Sequence, residues 1–185
     1  MDLIVLPGIG NSGPQHWQSL WQNQHPDWIR LAPSSWETPQ LDDWMHALER
    51  AIAQTKDRPL LLAHSLACLL VVHWAARTPD AAQKISGAML VAAPDPDSAV
   101  FPAAAASFRH VPDQSLPFPA MLVASSDDPY SDIRLAQRKA AVWGCEFVAA
   151  GAIGHINAGS HLGEWQHGYS LLTRCLNRDI VTTAV

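Results

Sequence analysis

A serine at position 65, an aspartate pair at 127 and 128, and a histidine at 155 occur in that order along the chain. Together these residue types can transfer acyl groups. A serine hydroxyl becomes a nucleophile at neutral pH only when a base takes its proton. The base in turn needs an acid to orient it and to stabilise its charged form.

Ser65 lies in LLLAHSLACLL (60–70), where nine apolar residues flank the pair His64-Ser65. Carried on to Ala76, the apolar run falls short of the ~20 residues a membrane-spanning helix needs, and His64, Ser65 and His73 are each costly in lipid. A strand over Leu60–Ala63, a tight turn at Ser65 and a helix from Leu66 to Arg77 fit better, with Thr78-Pro79 ending the helix. A serine so placed is lifted out of a sheet, and the free N–H groups of the new helix face the same spot. This is the nucleophile elbow, usually written G-x-S-x-G. Here it reads A-H-S-L-A, so Ala63 and Ala67 add one methyl at each glycine place, and His64 is a neighbour at the bend.

In that architecture the acid and then the base follow the serine, each after a later strand. The run AMLVA (120–124) leads into SSDDPYSD, and EFVA (146–149) leads into AGAIGHINAG. His155 is the expected base. His161 and His167, six apart on an expected helix, read as surface or capping residues. Asp128 is the preferred acid because an Asp-Pro turn projects its carboxylate, with Asp127 and Asp95 as alternatives. One oxyanion N–H is expected from Leu66 and a second from the loop PGIGNSGPQHW, at Ile9 or, failing that, Gly10. Gly10, Asn11 and Trp36 are the expected pocket residues. GIGNSG matches neither the dinucleotide fingerprint nor a Walker loop, and no HExxH spacing occurs, so no cofactor and no metal are expected.

These residues need a frame. Apolar runs at Asp2–Leu6, Trp28–Leu31, Leu60–Ala63, Gly87–Ala93, Ala120–Ala124 and Glu146–Ala149 alternate with helical patterns at Gln15–Gln24, Gln40–Gln54, Leu66–Arg77, Asp132–Val142 and Leu162–Leu176. The stretch AVFPAAAASFRHVPDQSLPFP between the fourth and fifth strands carries four of the fourteen prolines and reads as part helix, part loop. Strands alternating with helices predict an α/β fold: a mainly parallel sheet of about six strands, order 2-1-3-4-5-6, with helices on both faces. A single domain over residues 1–185 is expected.

The net charge of −5 and the lack of a basic cluster exclude a nucleic-acid binder. No basic segment precedes the first apolar run, so no signal peptide is expected. Cys68, Cys145 and Cys175 form no CxxC pair or zinc spacing and read as reduced thiols of a cytoplasmic protein. The expected partner is a small-molecule substrate, with neither membrane nor nucleic acid involved. A monomer and a dimer are both compatible with the sequence.

The chain resembles the small serine hydrolases grouped with the vertebrate retinoblastoma-binding hydrolase and the bacterial YdeN-like proteins. The resemblance rests on LPGIGNSGPQHWQSLWQ, SSWETPQLDDWMHAL, LLLAHSLACLLVVHWA, SSDDPY and GHINAGS, and covers nearly the whole length. It implies a compact α/β-hydrolase without a large lid, with Ser65, Asp128 and His155 in the triad places. Relatives more often carry glycine at position 63 or 67. The L-x-C-x-E segment used for pocket-protein binding does not carry over, because Leu70 stands where that motif needs Glu. The expected activity is hydrolysis of a small ester, thioester or amide. A binding protein that keeps the fold with weak or no activity is the competing expectation.

Overall fold

The computed structural model describes residues 2–182. Six strands, β1 (Leu3–Leu6), β2 (Ile29–Arg30), β3 (Leu60–His64), β4 (Gly87–Val91), β5 (Ala120–Ala124) and β6 (Glu146–Ala149), form one parallel sheet in the order β2-β1-β3-β4-β5-β6. This is the α/β-hydrolase-like order the sequence predicts. Each strand is short, and the four central ones are buried along their length, which is why they read as continuous apolar runs rather than alternating ones. Their side chains nonetheless divide by the period of two. Ile4, Leu6, Leu61, Ala63, Leu90 and Leu122 face one layer, and Leu3, Val5, Leu62, Met89, Val91 and Val123 face the other.

On the first face lie α2 (Leu41–Ile52), α3 (Leu66–Arg77) and α5 (Ile133–Trp143). The other face is covered by α1 (Trp17–Gln24) and α6 (Gln166–Thr182). A single short turn, α4 (Ala81–Lys84), links α3 to β4. Every residue of α3 from Leu66 to Ala75 is buried. Its membrane-like composition therefore has a plain cause: the helix is enclosed by the sheet on one side and by α2 and the β4–β5 segment on the other. Among the described residues no helix is long and apolar enough to cross a membrane.

Of the helix starts, those of the first and last helices differ most from the sequence expectation. The first helix begins at Trp17, because His16 has extended backbone and caps it, its ring nitrogen accepting the Gln18 N–H. The last helix begins at Gln166 rather than Leu162. His161, Gly163 and Trp165 all have positive φ, and the Trp165 indole folds back so closely on Gly168 that a Cβ there would lie 2.1 Å from the ring. His161 and His167 are therefore not on one helix, though both are exposed.

In place of a large lid, the β4–β5 segment forms a strap with a 3₁₀ turn at Ala103–Phe108. His73 Nε2 bonds the Phe108 carbonyl, the Ser107 hydroxyl accepts the Leu41 N–H, and Arg109 donates to the Pro96 carbonyl while lying over the Phe101 ring.

Candidate active site

The strand order reverses between β1 and β3, and in open α/β sheets ligands collect at such a point, beyond the carboxyl ends of the strands. Two loops meet there. The β3–α3 turn places Ser65 at φ 54°, ψ −123°, a conformation non-glycine residues rarely adopt. The turn is fixed by Ser65 N–H donating to the Val91 carbonyl and by Cys68 N–H donating to the Ser65 carbonyl, both at 2.9 Å. Ala63 and Ala67 are fully buried within it, so a methyl on each side still permits the sharp bend. Close approach is supplied by Gly8 on the facing β1 loop. A Cβ at Gly8 would lie 2.9 Å from Ser65 Cβ, 3.2 Å from the His64 carbonyl oxygen and 3.4 Å from Ser65 Oγ. Gly8→Ala is expected to push the serine off its position and lower kcat/KM about a hundredfold, since ångström-scale misplacement carries that cost. Kinetics on a small ester, with circular dichroism to confirm folding, would check it.

The Ser65 hydroxyl donates to His155 Nε2 at 2.8 Å, and His155 Nδ1 bonds both oxygens of Asp128 at 2.9 Å. Three groups from the ends of β3, β5 and β6 thus stand in hydrogen-bond sequence. The Asp128 side chain is 3% exposed. Asp127 faces elsewhere: its Oδ1 accepts the Ser125 hydroxyl and the Gly154 N–H, both at 2.7 Å, and these bonds hold its carboxyl below the usual range. Asp95 accepts the Asp97 N–H in its own turn.

Four consecutive residues of the loop bearing His155 are each tied to a different side chain. Ile153 N–H donates to Ser125 Oγ and Gly154 N–H to Asp127. The His155 carbonyl is bonded by His64 Nε2 at 3.0 Å, and the Ile156 carbonyl accepts the Trp17 indole N–H at 2.7 Å. Gly154 and Ile156 both have positive φ, which glycine adopts freely, and these ties hold the strain at Ile156. His64 is thus more than a neighbour at the bend, since it links the serine strand to the histidine loop. Sequence reading missed Ser125, Trp17 and the work of His64, because each acts through a partner remote in the chain.

The cleft over Ser65 encloses about 710 Å³, counting its open mouth. Ile9, Leu66, Pro94, Phe101 and Pro102 give it apolar walls, and Asn11, His16, Tyr130 and Asn157 give polar ones. Among the described residues, the Ile9 and Leu66 N–H groups have no backbone partner, whereas the Gly10 N–H is taken by the Trp36 carbonyl at 2.9 Å. Gly10 is therefore not an oxyanion donor in this arrangement. Neither Gly10 nor Trp36 lines the cleft. The Trp36 ring instead packs edge-on against Trp44, and Asn11 is the member of that predicted set that reaches the wall.

Burial sets the electrostatics around the serine. It pushes the His64 imidazole well below its ordinary value, helped by His16 and His155, and lowers His16 to about 4, helped by Arg30 and His155. Both rings are neutral at pH 7. Burial pushes the Cys68 thiol up, and the Cys145 thiol up to about 12, so neither is a nucleophile. Among the described residues no group of three His, Cys, Asp or Glu side chains is placed to hold a metal.

A depressed histidine pKa means that the unfolded chain binds protons the fold refuses. Stability is then complete above about pH 6.5 and declines as pH falls toward the folded values, by about 1.4 kcal/mol per pH unit for each such histidine. Urea midpoints at pH 7.5, 6 and 5 should fall steadily, and His16→Asn should reduce the slope.

The family model described as "Serine hydrolase" matches residues 3–174. The chain belongs to the serine hydrolase family. A YdeN-like hydrolase from Pectobacterium atrosepticum is 30% identical, with 97% of this chain and 92% of that one covered and a TM-score of 0.85. The ydeN product of B. subtilis is 17% identical over 95% and 98% of the two chains, with a TM-score of 0.76. A thioesterase domain of the curacin biosynthetic pathway is 15% identical over 95% and 90%, with a TM-score of 0.64, a likeness of fold alone. No curated protein matches the chain in sequence. This serine hydrolase is thus a YdeN-like enzyme of the α/β-hydrolase type.

Proposed function

We propose that this serine hydrolase cleaves a small ester or thioester, or a small amide, through an acyl-enzyme on Ser65. The observation that carries the reading is the unbroken hydrogen-bond sequence from Ser65 Oγ through His155 to the buried Asp128. Ser65 Oγ attacks the carbonyl as His155 Nε2 takes its proton, while Asp128 holds the Nδ1–H and stabilises the imidazolium. The N–H groups of Leu66 and Ile9 receive the developing oxyanion. His155 then gives its proton to the leaving group. In the second half it takes a proton from water, whose oxygen attacks the acyl carbon, and it returns that proton to Ser65 Oγ as the ester bond to the serine breaks and the acid leaves. The mostly apolar cleft supports an acyl substrate. The unbridged thiols of Cys68 and Cys145 support a reducing, cytoplasmic setting.

A fluorophosphonate probe tests the nucleophile, and rapid mixing with p-nitrophenyl butyrate tests the intermediate. The expected results are labelling that disappears in Ser65→Ala and a burst of p-nitrophenolate matching the enzyme concentration. A folded wild type that takes no label would sink the proposal.

A further inference from the structure

One aromatic ring at the site takes no part in the chemistry above. Tyr130 is 36% exposed, yet its backbone is pinned on both sides. Its N–H donates to Asp128 Oδ1 and its carbonyl accepts the Asp95 N–H, both at 2.9 Å. Pro129 precedes it, and the fixed φ of proline leaves that turn little freedom. The Tyr130 ring lies with its centroid 4.5 Å from that of His155. The buried His64 ring also meets His155, at 5.1 Å. The catalytic imidazole thus has one ring against it from the interior and one from the surface.

Tyr130 also divides two spaces. It lines the cleft over Ser65 and, with Asp95, Ser98, Asp128 and Asp132, a polar groove on the outer surface. That groove brings water toward the acid, but the His155 and Asp128 side chains are only 9% and 3% exposed. A hydrogen bond to a carboxylate is strongest where water cannot compete for it. We infer that Tyr130 is a positioning residue for the base: its ring closes the outer side of the Asp128–His155 pair against water and keeps the imidazole turned toward Ser65. In this role it acts through His155 and touches neither the serine nor the scissile bond. The inference rests on the acyl-enzyme reading of Ser65. The bond from the Tyr130 N–H to Asp128 belongs to the backbone, so truncating the side chain removes the ring and leaves that bond in place.

Tyr130→Ala and Tyr130→Phe test this on p-nitrophenyl acetate and p-nitrophenyl butyrate, with circular dichroism for folding and fluorophosphonate labelling for the nucleophile. In Tyr130→Ala, kcat/KM should fall about tenfold, the value of one aromatic contact. The factor should be the same on both esters, because the base is loosened whatever acyl group is transferred. Tyr130→Phe keeps the ring and should restore the rate to within about twofold of wild type, the hydroxyl having no part in the contact. Proton NMR gives a second readout. The His155 Nδ1–H, identified by its loss in His155→Ala, should give a sharp far-downfield resonance in wild type and Tyr130→Phe, broadened by water exchange in Tyr130→Ala. A labelled wild type whose folded alanine variant keeps its full rate overturns the inference. So does a loss that grows from acetate to butyrate, which would make Tyr130 a wall for the acyl chain, or a loss in Tyr130→Phe as large as in Tyr130→Ala. A labelled wild type that lacks the downfield resonance overturns it with no variant required. An unlabelled wild type overturns this inference together with the Ser65 reading.

Discussion

Ser65→Ala is expected to lower kcat on a small ester by about 10⁴-fold or more, and His155→Ala by a similar factor, with the double variant no worse than either. The non-additivity is the telling part. Ser65 Oγ and His155 Nε2 share one proton across 2.8 Å, so removing either end removes the whole proton transfer. In the proposed mechanism, what remains comes from the cleft and the N–H groups of Leu66 and Ile9. Initial rates for the three variants would check this, and independent, additive losses would show that the two residues do not act as a unit. Both side chains line the cleft and alanine is smaller at each, so neither change forces a neighbouring residue to move aside.

Asp128→Asn is expected to cost about 10³-fold to 10⁴-fold in kcat, against about tenfold for Asp127→Asn. The two carboxylates are adjacent in sequence and differ in what they hold. Asp128 accepts the His155 Nδ1–H and fixes the tautomer that leaves Nε2 free to take the serine proton. An asparagine amide turned toward Nδ1 would favour the other tautomer, in which Nε2 carries hydrogen and cannot act as a base. Asp127 secures the loop backbone through Gly154 and through Ser125. Its asparagine variant keeps one acceptor oxygen for that purpose, so the base is loosened rather than disarmed. Steady-state kinetics of the two variants side by side decides the matter. A greater loss in Asp127→Asn would reverse the assignment.

Much of this site was legible in the chain because its signals are local. A strand, a sharp turn and a helix can be read from LLLAHSLACLL, since an apolar run, a polar break and a helical period are properties of neighbouring residues. The order of serine, acid and histidine follows from the same logic, as each lies just beyond an apolar run. The last helix starts later than its apolar pattern predicts, because His161, Gly163 and Trp165 adopt left-handed backbone before it and Trp165 folds its ring onto Gly168.

What the sequence by itself determined is the parallel frame, its strand order, and the candidates that stand at its carboxyl edge. Tertiary structure decided which of two adjacent aspartates meets His155 and which loop N–H is free, because Gly10 is occupied by the carbonyl of Trp36, 26 positions away. It also decided that Gly8 must lack a side chain for Ser65 to sit where it does. Trp17 and His64 gained their positions as supports of the histidine loop in the same way. The physical reason is common to all of these. Periodicity and turn chemistry are summed over a few neighbouring residues, whereas a hydrogen bond's direction and a contact's clearance depend on where strands remote in the chain come to lie side by side.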